Sequence, residues 1–236
     1  MDMVFYAIGD IHGEVAKLRD LHTHISEFHD GLYRGQPHTR IHLGDYVDRG
    51  PDSCGVINFV RDLSNCSDFR TINLKGNHEI LMINAQKINN TEAKKSTALN
   101  HWLVNGGQQT LESYANKQNE LRDHIAWLES CPTLYHDPER NLIFVHAGID
   151  PVHYPTPDPS VHMWTRSEQF FDSETWDNPD LEGVTVIHGH TPTLTDYPDF
   201  SKDGRRINID TGACYGGPLS AVCLAANEPP RFLFSD

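Results

Sequence analysis

The chain has 236 residues, with 19 Lys and Arg against 33 Asp and Glu, giving a formal net charge of −14. No stretch is long and apolar enough to cross a bilayer, and an acidic surface repels phosphate backbones, so neither a membrane-spanning protein nor a sequence-independent nucleic-acid binder is expected. Hydrophobic residues at 38%, with 17 glycines added, bring the apolar share to roughly 45%, an ordinary globular value that predicts one domain over residues 1–236. Basic residues cluster no further than Lys94-Lys95 and Arg205-Arg206. The five cysteines, Cys54, Cys66, Cys131, Cys214 and Cys223, are scattered and form no C-x-x-C pair, which argues against a disulfide framework or a thiolate zinc site. Residues 1–6 lack a basic leader and run into a core strand, so no signal peptide and a cytoplasmic location are expected.

The first elements repeat one pattern. Met3–Ile8 is apolar and β-favouring, Gly9-Asp10-Ile11-His12-Gly13 breaks the run, and Glu14–Phe28 carries helical spacing at Val15, Leu18, Leu21 and Ile25. Arg40–Leu43 ends in Gly44-Asp45, with Pro51 placed to open a helix through Val56, Ile57, Phe59 and Val60. Phe69–Leu74 is a third strand, interrupted by Gly76-Asn77-His78-Glu79 before helical spacing from Ile80 to Ile88. Alternating strands and helices predict a parallel α/β sheet, whose binding groups gather at the carboxyl ends of the strands. Residues 89–131 are polar and mostly helical, anchored by Trp102, Leu103, Trp127 and Leu128 and broken at Gly106-Gly107, and are expected to form a helical insert. A hairpin is expected over Thr133–Tyr135 and Asn141–Val145, and an irregular loop over Asp150–Pro159, with four prolines in ten residues. Val184–Ile187 and Arg206–Ile209 are further strands, and Leu219–Ala225 the last.

The polar interruptions hold Asp10, His12, Asp45, Asn77, His146 and His190, each at or near a glycine. Carboxylate and amide oxygens with imidazole nitrogens suit Mn, Fe or Zn, and the lack of thiolate partners disfavours a structural zinc site. Gly9, Gly13, Gly44, Gly50 and Gly76 supply positive φ angles or close backbone approach at the strand ends. Two cations about 3.5–4 Å apart under a shared carboxylate are a recurrent device for displacement at phosphorus.

Gly9-Asp10-Ile11-His12-Gly13, Gly44-Asp45-Tyr46-Val47-Asp48-Arg49-Gly50, Gly76-Asn77-His78-Glu79, His146-Ala147-Gly148 and Gly189-His190-Thr191-Pro192 resemble, in order, the motifs of the phosphoprotein phosphatase family of calcineurin-like metallophosphoesterases. Trp102–Gly107 and Ile209–Ala213 resemble segments of its small bacterial and phage members, which include serine/threonine protein phosphatases and symmetrical bis(5'-nucleosyl)-tetraphosphatases. The resemblance implies a sandwich of two mixed β-sheets flanked by helices. It implies that Asp10 and His12 hold one metal with Asp45 bridging, and that Asn77, His146 and His190 complete the second, Mn²⁺ being favoured over Fe or Zn. Arg49 and Arg166, with Asn77, would bind the substrate phosphate through planar guanidinium forks that lysine cannot reproduce. His78 is the candidate general acid, oriented by Asp48, with direct attack by a metal-bound hydroxide. The activity implied first is phosphate-monoester hydrolysis on phosphoserine or phosphothreonine proteins. A bis(5'-nucleosyl)-tetraphosphatase cleaving a phosphoanhydride is the alternative. A non-catalytic phosphate-binding module is disfavoured, because every motif residue is present.

Several residues have plainer readings. Of 15 histidines, His22, His24, His29 and His124 are assigned to exposed helix positions. His42 is either a core histidine or a donor to a ligand, and His188 packs behind the ligands rather than joining them. Asp210 caps a turn before Gly212, Tyr215 packs, and Gly216-Gly217 is a hairpin turn. Cys214 has no basic neighbour to activate it, and Lys94-Lys95 is a solvated helix face.

Overall fold

Five consecutive buried residues, Val4–Ile8, form β1, and their burial on both faces explains why the sequence shows no polar alternation there. Val4, Tyr6 and Ile8 face the helices, while Phe5 and Ala7 face a second sheet. The computed structural model describes residues 3–86, 92–156 and 158–236, with the backbone alone at 92–95.

The strands are β1, β2 (His38–His42), β3 (Arg70–Asn73), β4 (Leu134–Asp137), β5 (Leu142–Val145), β6 (Thr185–His188), β7 (Asp199–Phe200), β8 (Arg206–Asn208), β9 (Ser220–Leu224) and β10 (Arg231–Phe234). They form two five-stranded mixed sheets, ordered β10-β9-β1-β2-β3 and β4-β5-β6-β8-β7. β1, β2 and β3 run parallel and β9 antiparallel to β1; β5, β6 and β8 run parallel, with β4 and β7 antiparallel at the edges. The sheets meet through Phe5, Ala7, Ile41 and Val222 on one side and Leu142, Phe144, Ile187 and Ile207 on the other, with the rings of Phe5 and Phe144 5.5 Å apart.

Helices α1 (Val15–Leu32) and α2 (Ser53–Leu63) cover the outer face of the first sheet through Leu18, Leu21, Ile25, Val56, Ile57 and Val60. The N-cap of α2 is Asp52, which accepts the Gly55 N–H at 2.9 Å, so the helix opens two residues after Pro51. Then follow α3 (Asn77–Gln86), α4 (Glu92–Trp102), a π turn at Leu103–Gly107, α5 (Gln108–Ser113) and α6 (Gln118–Ser130). Short helices α7 (Ser160–Trp164) and α8 (Glu168–Phe171) lie on the second sheet's side, where Phe170 packs with Ile143, Val145 and Val186.

The two-sheet architecture is as expected, with four corrections. α3 begins at Asn77 rather than Ile80, so Asn77, His78 and Glu79 form its first turn. Leu219–Ala225 is not the last strand, because β10 adds an edge strand after Pro229-Pro230, and the two-residue β7 was not anticipated. Gly216-Gly217 joins the two sheets and is no hairpin, since β8 and β9 belong to different sheets. His22, His29 and His124 are buried, and His24 is half-buried, because their helical positions continue the apolar faces. Ile88, Asn89 and the Lys94-Lys95 side chains lie outside the described residues.

Candidate metal centre

The parallel strands β1, β2, β3, β5 and β6 all end at one rim. The residues just past them converge there: Asp10 and His12 after β1, Asp45 after β2, Asn77 after β3, His146 after β5 and His190 after β6. Each of the six is at least nine-tenths buried. The turns that aim them are sharp. His12, Asp45, Asp48, Arg49 and His190 all have φ between 45° and 73°, a region costly for side-chain-bearing residues. Of the five glycines assigned to these turns, only Gly13 and Gly44 have positive φ. Gly76 serves instead by close approach, since a Cβ there would lie 2.2 Å from Asp45 Oδ1. Gly9 and Gly50 likewise abut neighbouring carbonyl oxygens.

Asp45 sits between two groups of donors. Its Oδ2 is 3.4 Å from His12 Nε2 and 4.0 Å from His78 Nε2, and its Oδ1 is 3.4 Å from His146 Nε2. One group joins His12, Asp45 and His78; the other joins Asp45, His146 and His190. Asn77 Oδ1 completes the second, 2.9 Å from both His146 Nε2 and His190 Nδ1. Asp10 borders the second group, its oxygens accepting the His190 N–H at 3.2 and 3.1 Å and its Oδ1 lying 4.0 Å from His146 Nδ1, while His78 stands with His12 and Asp45 in the first.

His12 Nδ1 donates to Val47 O at 2.8 Å, which leaves the Nε2 lone pair toward the centre, where the Arg49 guanidinium donates to it at 2.7 Å. Burial holds His12 neutral, with its pKa near 3, and lowers His146 and His190, the latter to about 2. Burial alone would raise Asp45, but four surrounding imidazoles hold its carboxyl well below the usual range. Asp10 is pushed well above its ordinary value by burial and by the charges of Asp210 and Asp45, and burial lifts Asp210 to about 6. Neutral imidazoles gathered around carboxylates that repel one another are a donor set suited to divalent cations, so the residues present fit a metal pair.

Beside this centre, His78 Nδ1 donates to Asp48 Oδ2 at 2.8 Å. Burial would lower His78, but Asp45 and the bond to Asp48 outweigh it and raise its pKa. Asp48 is fully buried and also accepts Trp102 Nε1–H at 2.8 Å and the Thr110 hydroxyl at 2.7 Å. Neither Trp102 nor Thr110 stands out in the sequence as a support of the acid pair: beyond anchoring the helical insert, Trp102 spends its indole N–H on Asp48. The Arg49 N–H donates to Gly106 O at 3.0 Å, so the π turn fixes the arginine while Trp102 and Thr110 on either side of it fix Asp48. Glu79 was also missed beyond its place in the motif. Its buried carboxylate accepts the N–H groups of Asp45, Tyr46 and Gly76, each at 2.8 Å, and of Val47 at 3.4 Å. Burial and Asp45 push it up to about 8 against the pull of those donors.

Arg166 is exposed and reaches the rim, with Nε 3.3 Å from Thr191 Oγ1 and Nη2 3.4 Å from His190 O. Arg49 lies over the ring of Tyr215, 5.6 Å from its centroid, and Trp164 stands edge-on to His190 at 6.5 Å; both aromatic rings are substantially exposed. His188 spends both nitrogens, accepting from Arg206 at 2.9 Å and donating to Gly189 O at 3.0 Å. His42 pairs with His22 and Asn73, at 3.0 and 2.8 Å, and is a core residue. Asp210 caps the Gly212 N–H at 3.1 Å. Cys214 does have a basic neighbour in Arg49, yet burial keeps its thiol near 11, so it is no thiolate.

A family model for calcineurin-like phosphoesterases matches residues 3–218. The chain belongs to the calcineurin-like phosphoesterase family. The phosphoesterase is 28% identical to the asymmetrical bis(5'-nucleosyl)-tetraphosphatase PrpE of Bacillus mycoides, over 93% of this chain and 90% of that protein. It is 32% identical to the symmetrical bis(5'-nucleosyl)-tetraphosphatase of Proteus mirabilis over 63% of this chain, against 46% of that protein. Its fold matches a crystal structure provisionally assigned as a diadenosine tetraphosphatase with a TM-score of 0.67 and 20% identity, covering 100% of this chain and 98% of that one.

Proposed function

We propose that the phosphoesterase uses a metal pair, Mn²⁺ in the first instance, to hydrolyse bis(5'-nucleosyl) tetraphosphates at a phosphoanhydride bond. The reaction rests on one observation: the Asp45 carboxylate lies between His12 on one side and His146 on the other, with an acid pair alongside. Asp10 and His12 would hold one ion and Asn77, His146 and His190 the other, with Asp45 shared between them. When bound, such ions supply Lewis acidity toward phosphoryl oxygens and acidify water for attack at phosphorus.

The chain's own groups supply the rest. Arg49 and Arg166 orient the phosphate and neutralise its non-bridging oxygens, the first held by Gly106 and the second reaching over His190. Asn77 contributes its amide nitrogen to the same phosphate. His78 holds a proton at Nε2 for the departing oxygen while Asp48 fixes its tautomer through Nδ1.

The nucleotide substrate is supported by the end-to-end likeness to a tetraphosphatase and by the exposed rings of Trp164 and Tyr215 at the rim, which offer faces to nucleobases. A second reading, phosphoserine or phosphothreonine in a protein, is favoured by the raised pKa of His78, because an alkoxide leaving group needs a proton far more than a phosphate does. Steady-state assays with Mn²⁺ on diadenosine tetraphosphate and on a phosphoserine peptide, run side by side, test the choice. A kcat/KM at least about 100-fold higher for the dinucleotide is expected, and the reverse order overturns the assignment.

A further inference from the structure

Past the metal-side rim, the loop over residues 191–199 arches above a cleft of about 350 Å³, within the size range of small-molecule sites. Its walls include Phe171, Pro192, Leu194, Pro198 and Asp199, with Arg206 and Asn208 from β8. Thr191, at the near end, directly follows His190 and receives the Arg166 Nε–H at 3.3 Å. A phosphate chain gripped by Arg166 therefore meets this cleft next.

Three features make the cleft a built site. The loop is held at its first end, by Asn208 Nδ2 donating to Thr191 O at 2.8 Å and Thr193 N donating to Asp210 O at 2.9 Å, and at its far end, where Asp199 in β7 pairs with Asn208 in β8. Leu194 is nonetheless fully solvent-exposed at 105%, an apolar side chain on a fixed loop with nothing over it. Arg206, only 6% exposed, pairs through Nη2 with Asp199 at 3.5 Å and donates to His188 at 2.9 Å, leaving only its Nε without a hydrogen-bond partner, while its guanidinium lies 5.0 Å from the Phe171 ring. A buried donor left unpaired is costly, and an acceptor on a ligand would satisfy it.

We infer that this cleft binds the nucleoside of the substrate remote from the bond being cleaved. Leu194 and Phe171 bracket the base, and the Arg206 Nε–H meets an acceptor on the ribose. A flat heteroaromatic base carrying an uncharged sugar matches apolar walls over an ion-paired arginine with one unspent donor, where a charged phosphopeptide side chain does not. The inference rests on the nucleotide reading of the centre.

The test compares diadenosine tetraphosphate with adenosine 5'-tetraphosphate, which has the same phosphate chain and one nucleoside fewer. In the unmodified Mn²⁺-loaded protein the KM for the dinucleoside should be about tenfold lower. Leu194→Glu should erase that difference by raising the KM for the dinucleoside, with kcat held within about twofold, whereas Leu194→Phe should preserve it. Leu194 is fully exposed, so both variants fold. Equal KM values in the unmodified protein, or a difference that survives Leu194→Glu, overturn the cleft assignment while leaving tetraphosphate hydrolysis standing. Turnover of a phosphopeptide with none of either tetraphosphate overturns both.

Discussion

Replacing Asp48 by Asn isolates the acid pair. Asp48 is fully buried and accepts from three donors: His78 Nδ1 at 2.8 Å, Trp102 Nε1 at 2.8 Å and Thr110 Oγ1 at 2.7 Å. An asparagine brings one acceptor oxygen and one NH2 group. If the oxygen stays with Trp102 and Thr110, the NH2 faces His78 Nδ1 and reverses its tautomer. Losing one buried charge-assisted hydrogen bond costs about 1.5–3 kcal/mol, and at about 1.4 kcal/mol per pKa unit the imidazolium loses one to two units. Because Asp48 is one of the groups that raise His78, the protonated fraction at pH 7 should drop by several-fold for one unit and by some tens of fold for two, and kcat on phenyl phosphate should drop in step. On p-nitrophenyl phosphate, whose leaving group departs without a proton, the loss should stay within about threefold. Stopped assays on both substrates, with bound Mn²⁺ counted in parallel, decide it. An equal loss on the two substrates, or a loss of metal, would refute His78 as the acid.

Asp45→Asn should remove the charge shared by both donor groups, lowering bound Mn²⁺ from two equivalents toward none and activity by at least about 10³-fold; two retained equivalents by elemental analysis would refute the shared role. Gly76→Ala sets a Cβ 2.2 Å from Asp45 Oδ1 and 2.6 Å from its N, so thermal unfolding should show a loss of about 2 kcal/mol, and an unchanged midpoint would contradict the packing. Acid should unfold the protein through its buried histidines. Arg40 donates to His22 Nδ1, His22 to His42, and His42 to Asn73, a chain that requires each ring to carry a single proton. His42 and His124 have pKa values lowered by burial to about 4, against about 6.5 unfolded, so their contribution is complete above pH 6.5 and lost as pH falls toward 4. Each should cost about 2 kcal/mol at pH 5, read by denaturant titration across that range; flat stability from pH 7 to 4.5 contradicts it.

The strand ends were visible in the sequence because chemistry interrupts apolar runs there: Asp10 after Ile8, Asp45 after Leu43 and His146 after Val145 stand where an unbroken core strand has no use for a charge or an imidazole. The buried histidines were also within reach. Leu18, Leu21, His22, Ile25 and His29 share one helical face, and reading histidine as polar by default concealed a pattern that the spacing already held. What sequence could not show is how those ends are bent. Five side-chain-bearing residues at positive φ cost about 1–3 kcal/mol each, and nothing local to His12, Asp45 or Arg49 supplies that energy. Part of the compensation comes from Glu79, whose carboxylate gathers backbone N–H groups of residues 45–47, more than thirty positions earlier. Trp102 and Gly106 hold Asp48 and Arg49 from more than fifty positions later. The ligands were legible one by one because each carries its own chemistry, whereas the supports act through backbone groups that every residue shares, and only the fold says which of those they reach.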